Sequence, residues 1–491
     1  MKLFRIRGGV HPEDRKHLAA DQPIIDLPLP PLLHIPVQQH IGAAAQPAVQ
    51  RGQHVHMGEL LATSQGAISA PVHAPTSGRI MGIGNYPAHH PSGLSVRTIT
   101  LQPDGEDRWS DKLTPCDDPF ALEPAEVAAR VAAAGIVGMG GATFPSAVKL
   151  NLRERYKLHT LVINGAECEP YLTCDDRLMR EQAMEVIDGI RIMAHALGVE
   201  RIIVAIENNK PDALRAMQHA ATAFDMLTVT GIPTRYPMGS EKHMVQALTG
   251  LETPARALTA DIGIVVHNVA TAYAVHQALR FGWPLVARVV TVSGGAVARP
   301  ANLRVRIGTP VSHLIDYCGG TDEATARLIS GGPMMGQPLP STRVPVVKGS
   351  NGVLALTAAE IASREPSPCI RCASCVSACP CGLVPLEMAA RARAGDLDGT
   401  VKIGLMDCVA CGSCSYVCPS SIPLVQYFNY AKGELAARQR SKHKQMETKR
   451  LATQRSARIE EQKRKKREAM AQRKRKDATA AREAVAEESG A

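Results

Sequence analysis

Cysteine spacing near the C-terminal end constrains this chain more than any other feature of its sequence. Of the 13 cysteines, nine fall between Cys369 and Cys418. Eight of these form two runs of one design, in which three cysteines at three-residue intervals are followed by a fourth and then by proline. Such spacing bends the backbone into a tight loop that presents three thiols and leaves the fourth outside it. The runs are Cys369, Cys372, Cys375 and Cys379, and Cys408, Cys411, Cys414 and Cys418.

Both runs follow the pattern C-x2-C-x2-C-x3-C-P of bacterial two-cluster ferredoxins, in which the fourth cysteine of each run ligates the other cluster. We therefore predict a crosswise assignment of two [4Fe–4S] clusters. Cluster 1 is assigned Cys369, Cys372, Cys375 and Cys418, and cluster 2 is assigned Cys408, Cys411, Cys414 and Cys379. Structural zinc is the alternative, but a zinc site has no use for a third close thiolate. Cys381 fits neither run, and we expect residues 366–432 to form a ferredoxin-like domain that carries electrons.

Composition excludes several other classes of protein. Aromatic residues make up only 3% of the chain, so stacking on nucleic-acid bases is not expected. The most apolar stretch, 262–279, is broken by His267, Asn268 and His276, so the sequence predicts no bilayer span. The first nine residues have no apolar signal core, and the cysteines suit a reducing compartment. These features predict a cytoplasmic location.

The net charge of +10 is concentrated in one segment. Residues 432–476 hold 18 Lys and Arg against five Asp and Glu, which leaves 38 against 41 for the rest of the chain. Apolar residues are sparse there and keep no heptad, so a coiled coil is not expected. Residues 433–491 are predicted to be a basic tail, either a solvated helix or disordered, that contacts an anionic membrane surface.

The N-terminal part of the chain has two sections. Residues 1–39 are rich in proline and are predicted to form an extended strap. Residues 40–110 alternate short apolar segments with glycine turns, which predicts a small all-β unit. This unit resembles the barrel-sandwich fold of lipoyl and biotinyl carriers. Those carriers need a lysine at a hairpin tip, and the stretch 59–79 contains none, so we expect a docking role instead.

Residues 119–285 alternate strands with helices, which predicts a doubly wound domain with a mostly parallel sheet. Its glycine cluster, residues 135–141, follows a helix and has the pattern G-x-G-G, so it is not a dinucleotide fingerprint. The next helix begins near Thr143 and carries Lys149. Backbone N–H groups and an ammonium at such a position favour an anionic ligand such as a phosphate. From these residues alone, structural glycines are an equally good interpretation.

Four segments in this region resemble the flavin-site motifs of the FMN-binding subunit of respiratory NADH dehydrogenases, in the same order and spacing. They are residues 138–149, 164–170, 236–241 and 267–271. Together with the opening sequence Gly-Gly-Val-His-Pro at residues 8–12, the lysine-free β unit and the paired cysteine runs, they extend the resemblance to about Lys432. Over that length the chain resembles the RnfC (RsxC) family, whose members belong to ion-translocating ferredoxin:NAD oxidoreductase complexes.

The resemblance implies roles for individual residues. The flavin phosphate and ring edge would be held by Gly138, Gly140, Gly141 and Lys149. The flavin and nicotinamide pocket would be lined by Asn164, Glu167, Tyr236, Gly239 and Glu241 and completed by Asn268 and Thr271, with Glu167 and Glu241 as catalytic candidates. The chain departs from the dehydrogenase pattern at Ala166, where aspartate is usual, and at His267 and Ala270.

The resemblance also implies the remaining organisation and the function. Overall it predicts an α/β multidomain protein in which residues 286–357 form a β-grasp-like domain. The expected cofactors are non-covalent FMN and two [4Fe–4S] clusters, since a flavin links two-electron chemistry to one-electron carriers. The expected partners are NAD(H), other subunits of a membrane complex and, through one of them, ferredoxin, with the chain peripheral on the cytoplasmic side of the inner membrane. A soluble subunit of a hydrogenase or formate dehydrogenase, and a non-redox ligand-binding or cluster-maturation scaffold, are the alternatives.

Overall fold

Two antiparallel sheets form the N-terminal β-unit, residues 33–103. The strands of this part of the chain are β1 (Ile24–Asp26), β2 (Leu33–Pro36), β3 (Gln46–Pro47), β4 (His54–Val55), β5 (Leu60–Thr63), β6 (Val72–His73), β7 (Gly78–Pro87) and β8 (Ser95–Pro103). The computed structural model describes residues 2–322, 325–361 and 364–488. The sheets have the orders β2-β8-β7-β4 and β3-β5-β6, and their inward-facing side chains share one hydrophobic cluster. Since β2 pairs with β8, the predicted strap supplies one strand of this unit.

A four-stranded parallel sheet forms the next domain, residues 124–281, which we call the parallel-sheet domain. Its elements are α1 (Pro124–Ala133), α2 (Ser146–Leu150), β9 (Thr160–Gly165), α3 (Cys174–Glu181), α4 (Ala183–Leu197), β10 (Arg201–Glu207), α5 (Pro211–Ala221), β11 (Leu227–Ile232), α6 (Glu241–Thr249), β12 (Ile264–Asn268) and α7 (Val269–Phe281). Successive strand residues alternate between two hydrophobic clusters, one shared with α4, α5 and α7 and the other with α6. The strand order β11-β10-β9-β12 reverses direction at β9. A crevice at the carboxyl ends of such strands is the usual ligand site of an open parallel sheet.

A mixed six-stranded sheet follows. It adds β13 (Ala287–Ser293), β14 (Ala301–Arg306), α8 (Val311–Tyr317), β15 (Thr325–Ser330), β16 (Gln337–Pro338) and β17 (Gly352–Thr357). Its order is β1-β14-β13-β17-β15-β16, so its first strand also comes from the predicted strap. The strap therefore joins two sheets rather than lying over them.

Short helices surround the two cysteine runs, and one long helix ends the described chain. They are α9 (Ser374–Ala378), α10 (Pro385–Arg393), α11 (Leu397–Lys402), α12 (Ser413–Tyr416) and α13 (Leu424–Glu488). Helix α13 has 65 residues and passes without a break through the predicted tail boundary at residue 432. Leu435 still packs on the cysteine-rich core, and side chains from 437 to 482 are exposed. Of the two forms expected for the tail, the structure has the helix.

Lys348, in the loop before β17, is fully buried where three parts of the chain meet. Its ammonium donates hydrogen bonds to the carbonyl oxygens of Pro71, in the β-unit, at 2.7 Å and of Gly135, in the parallel-sheet domain, at 2.6 Å. Its backbone N–H donates to the side chain of Gln39 at 3.0 Å. Burial lowers the pKa of Lys348 to about 7. One side chain thus ties the six-stranded sheet to both preceding units.

The low pKa of Lys348 predicts pH-dependent stability. An unfolded chain holds the Lys348 proton up to its ordinary pKa of 10.5, while the folded chain releases it near 7. The unfolded state therefore binds more protons between these values, and the free energy of unfolding should rise with pH by up to about 1.4 kcal/mol per unit. We expect Lys348→Met to remove this slope, measured as the difference between wild-type and variant denaturation midpoints from pH 7 to 9. The neighbouring His73 stays neutral there, since burial lowers its pKa to about 3. Equal slopes in the two proteins would contradict the assignment.

Candidate functional site

The glycine loop, residues 135–145, connects α1 to α2 and lies against the start of α7. Gly138 N–H donates to the Phe144 carbonyl at 2.8 Å, and Met139 N–H donates to the Thr271 hydroxyl at 3.0 Å. A Cβ added to Gly140 would lie 3.4 Å from Asn268 Cβ, so glycine lets the loop backbone approach this side chain closely. Gly141 has a φ of 109°, a conformation that side chains other than glycine rarely adopt. The loop thus depends on glycine at residue 141 and is tied to α7 by Thr271.

Two asparagines lie where β9 and β12 end, at the point where the strand order reverses. The Asn164 amide donates to the Gly239 carbonyl at 2.7 Å. The Asn268 amide donates to Asp175 at 2.6 Å, and its oxygen accepts the Ala270 N–H at 2.9 Å and so caps α7. Together with the glycine loop, four of the predicted residues therefore meet at the crevice: Asn164, Gly239, Asn268 and Thr271.

Lys149 and Glu241 form an ion pair at the edge of this crevice. The Lys149 ammonium lies 2.9 Å from the Glu241 carboxylate and donates to the Val266 carbonyl at 3.0 Å. The two side chains are 27% and 41% exposed, so the ammonium remains accessible to an anion from the crevice. Helix α2, which carries Lys149, has only five residues, so its dipole contributes little. The capped start of the longer α7 is the better source of N–H groups.

Glu167 lies deeper than the sequence suggests. Its carboxylate accepts backbone N–H groups of Asp175 at 2.7 Å and Asp176 at 3.3 Å, which satisfies donors at the start of α3. The side chain is only 4% exposed. Burial, followed by the charge of Glu167, raises the pKa of Asp175 to about 7. Glu167 is therefore better placed to position Asp175, and through Asp175 the Asn268 side chain, than to react directly with a substrate.

Lys16, which the sequence analysis did not single out, supports the same segment from the strap. Its ammonium donates to the backbone carbonyls of Glu167 at 2.9 Å and Glu169 at 3.0 Å. It also lies 4.0 Å from the Glu167 carboxylate and is itself buried. Lys16 and Glu167 are 151 residues apart in the sequence. No local sequence pattern could therefore have indicated their contact.

Tyr236 packs against the second cysteine run. Its hydroxyl donates to the Cys411 carbonyl at 2.7 Å, and the side chain is 2% exposed. Next to it, Glu169 accepts the N–H groups of Met334 at 3.0 Å and Met335 at 2.8 Å, in the glycine-rich turn 331–336. Tyr236, this turn and Cys411 thus bring the parallel-sheet domain into direct contact with the second run.

The eight run cysteines line two separate cavities. One is lined by Cys369, Cys372, Cys375 and Cys418, and the other by Cys379, Cys408, Cys411 and Cys414. These are the two crosswise sets that the spacing predicts, and four thiols around one cavity suit a [4Fe–4S] cluster. Ala373 and Gly412, at matching positions of the two runs, both have positive φ, 60° and 81°. Cys381 also lines the second cavity, with its sulfur 3.9 Å from His243 Nε2.

The crevice residues also fit a flavin phosphate. The glycine loop leaves backbone accessible, Lys149 offers a positive charge, and α7 presents a capped N-terminus. Glu167 and Tyr236 are the two predicted pocket residues whose side chains bond elsewhere, to α3 and to Cys411. Within the described parts of the chain, no helix is both long and apolar enough to cross a membrane.

Four family models match the chain in succession. The RnfC barrel sandwich hybrid domain matches residues 4–106, the Nuo51 FMN-binding domain 131–277, the SLBB domain 289–338 and the 4Fe-4S dicluster domain 368–422. They confirm the predicted order of a barrel-sandwich unit, an FMN-binding domain and a ferredoxin-type domain. FMN and two [4Fe–4S] clusters are therefore the cofactors of this chain, as predicted.

Relatives cover most of the chain. The C subunit of the ion-translocating oxidoreductase complex of Rhodobacter capsulatus is 60% identical over 444 residues, 90% of this chain and 85% of the relative. The C subunit of the proton-translocating ferredoxin:NAD(+) oxidoreductase complex of Clostridium ljungdahlii is 44% identical over 445 residues, 90% of this chain and 96% of the relative. An NAD+-reducing [NiFe]-hydrogenase structure has a TM-score of only 0.44, at 20% identity over 57% of this chain and 55% of that one. The predicted family is thereby confirmed: the chain belongs to the RnfC family of ion-translocating oxidoreductase complexes.

Proposed function

We propose that this chain is the electron-transfer subunit of a membrane-bound complex that couples electron flow between NAD(H) and ferredoxin to ion translocation. It passes electrons between FMN and two [4Fe–4S] clusters. The observation that carries this proposal is the hydrogen bond from Tyr236, in a flavin-site segment, to the backbone of cluster ligand Cys411. It joins the flavin domain to the cluster domain through buried protein rather than through solvent.

The same contact supports an order for the cofactors. Cluster 2 includes Cys411 and lies against Tyr236 and Val10, so it is the cluster next to the flavin. Cluster 1 includes Cys369 and Cys372, which are exposed, and neighbouring Ile370 is 68% exposed. We propose that electrons pass between FMN and cluster 2, and that cluster 1 exchanges them with a partner subunit.

The residues of the chain have distinct proposed roles at the flavin. Gly138, Gly140 and Gly141 allow close approach of backbone N–H groups, and Lys149 neutralises the phosphate charge. Asn164, Gly239, Asn268 and Thr271 fix the walls of the pocket. Glu241 is the exposed carboxylate at the entrance, where nicotinamide would bind, and Glu167 positions Asp175 behind the wall. Bound FMN supplies the conversion between hydride transfer and single-electron transfer.

The finer organisation that we propose follows the same lines. The parallel-sheet domain is doubly wound, and the six-stranded sheet belongs to a β-grasp-like domain. The partners are NAD(H), the other subunits of the complex and, through one of them, ferredoxin. The chain is peripheral, on the cytoplasmic side of the inner membrane. We propose the predicted domain ranges with two changes: β1 and β2 of the strap belong to the neighbouring sheets, and the cluster domain extends at least to Leu435.

Anaerobic reduction by NADH tests this function. We expect the purified chain to contain FMN and two clusters, and NADH to bleach the flavin before the clusters and to drive reduction of an artificial dye. A scaffold without redox turnover would bind cofactors yet leave the dye oxidised, which would refute the proposal. We expect the chain to co-purify with membranes. A chain found only in the soluble fraction would favour a subunit of a soluble hydrogenase or formate dehydrogenase instead.

The exposed part of α13 has its own proposed partner, the anionic lipid surface. Each basic residue near such a surface contributes about 1 kcal/mol, and salt screens the attraction. Because Leu435 still packs on the cluster domain, truncation after Arg440 is the suitable variant. We expect it to keep both clusters, FMN and dye reduction, and to lower sedimentation with anionic liposomes at low salt. Neutral liposomes are the control. Equal sedimentation of the full-length and truncated proteins would contradict the lipid role. Loss of dye reduction in the truncated protein would show instead that the tail packs on the redox domains.

A further inference from the structure

We propose that the cavity between α7 and the six-stranded sheet binds a small, largely apolar molecule that carries an anionic group. The cavity has a volume of about 580 Å³. It lies behind the glycine loop, and none of the proposed flavin-pocket residues lines it. The proposal is independent of the electron-transfer function, since it concerns a second site on the other side of Met139.

The size and position of the cavity suit a small molecule. Protein interiors are closely packed, and ligand pockets of about 300–1,000 Å³ occur preferentially between domains. This cavity lies where many parts of the chain meet: the strap near Leu27, the segment after β8 at Trp109, the glycine loop at Met139, α3 at Asp175, α7 at Tyr273, and strands β13 and β14. Its volume is within the range of small-molecule pockets.

The lining is largely apolar and contains three aromatic rings. The chain has only two tryptophans, Trp109 and Trp283, and both line the cavity. Their rings stack on each other with centroids 4.9 Å apart, and Trp283 also stacks on Phe281 at 4.7 Å, so these ring faces are already covered by protein. Tyr273 adds the third ring, and leucine, valine and alanine side chains make up much of the remaining lining. Such a lining favours a ligand with an apolar body.

A buried arginine selects for an anion. Arg288 lines the cavity and is 4% exposed. Its guanidinium donates to the carbonyls of Ser350 at 3.1 Å and Met139 at 3.2 Å, and across the described ranges it forms no ion pair. Buried charges are normally paired, so a ligand phosphate, sulfonate or carboxylate would complete the site.

The other charged groups of the lining do not replace that anion. Arg304 and Arg306 are already paired, with Asp26 and Asp107 respectively. Asp175 also lines the cavity and its charge acts on Arg288, but its carboxylate accepts the Asn268 amide at 2.6 Å and forms no direct ion pair with Arg288. Within the described residues, Arg288 is therefore the positive group of this lining that has no direct ion-pair partner.

Binding of anilinonaphthalene sulfonate, an apolar molecule with one sulfonate, to the cofactor-loaded full-length chain tests the site. Since both tryptophans line the cavity, energy transfer from tryptophan to the dye reports binding near them, and the variants below assign it to the cavity. We expect saturable binding of one dye per chain with efficient transfer. Arg288→Met should weaken it roughly tenfold or more, and Arg288→Lys should restore part of the affinity.

A second variant keeps the test decisive if Arg288→Met folds poorly. Ala274→Phe places a ring into the cavity from α7 and should abolish saturable binding while flavin and iron content stay unchanged. Ala129→Phe adds the same ring at an exposed position of α1 and should bind dye as wild type does. Unsaturable binding, or equal binding by Ala274→Phe and wild type, would overturn the proposal.

Discussion

Replacing Cys379 with serine should remove cluster 2, although Cys379 belongs to the first cysteine run. The structure places its thiol in the cavity of Cys408, Cys411 and Cys414, and not with the other cysteines of its own run. A cluster that loses one of four thiolates is destabilised, so we expect iron to fall from about eight to about four atoms per chain. Flavin reduction by NADH should persist, but electrons should no longer reach cluster 1 if, as we propose, cluster 2 lies between it and the flavin.

Iron analysis and electron paramagnetic resonance of the reduced protein measure this effect. Cys381→Ser is the matched control, because Cys381 lines the same cavity and lies two residues away, yet stands outside the run pattern. It should keep both clusters. Cys418→Ser should give the reciprocal result and remove cluster 1. Loss of cluster 1 in Cys379→Ser, with cluster 2 intact, would refute the crosswise assignment.

Replacing Lys149 with methionine should release FMN. Methionine keeps the length of the side chain but removes the ammonium that faces the crevice. A charge-assisted contact is worth about 1.5–3 kcal/mol, so flavin affinity should fall roughly tenfold to a hundredfold. Flavin fluorescence after gel filtration or dilution measures the loss, and both clusters should remain.

Two variants separate this effect from a general loss of charge. Arg153→Met removes an exposed positive charge just after α2 and should leave flavin affinity unchanged. Glu241→Gln removes the ion-pair partner of Lys149 but keeps the ammonium, so the protein should retain flavin. NADH turnover should fall, because we propose that Glu241 lies where nicotinamide binds. Wild-type flavin affinity in Lys149→Met would show that the phosphate binds elsewhere.

Sequence predicts best those parts of the site whose geometry is local. Three cysteines at three-residue intervals specify a cluster loop wherever they occur, because the covalent chain alone brings them together. The glycine loop is also a local feature, since Gly141 has a positive φ that glycine adopts readily and other residues rarely do. The succession of strand and helix segments along residues 119–285 likewise predicts the parallel sheet.

The parts that sequence could not supply depend on long-range contacts. The motif containing Glu167 indicates an acidic residue, but it does not show that the carboxylate accepts hydrogen bonds from the start of α3. The motif around Tyr236 likewise does not show that its hydroxyl bonds to Cys411, 175 residues later in the chain. The proline-rich strap shows no alternation over its few strand residues, so neither β1 nor β2 could be assigned to a sheet in advance.

The strap has a consequence for the order in which the chain can fold during synthesis. Gly9 N–H donates to the Ala378 carbonyl at 2.9 Å, so the first residues wait for almost the whole chain before this contact can form. At about 5–20 residues per second, the delay on the ribosome is roughly 20 to 75 seconds. Before that, Phe4 and Val10 can already bond to the parallel-sheet domain, at Ala247 and Tyr236. We therefore expect residues 4–10 to be protected from proteolysis in two steps, in part when the parallel-sheet domain is complete and in full only after the cysteine-rich domain emerges.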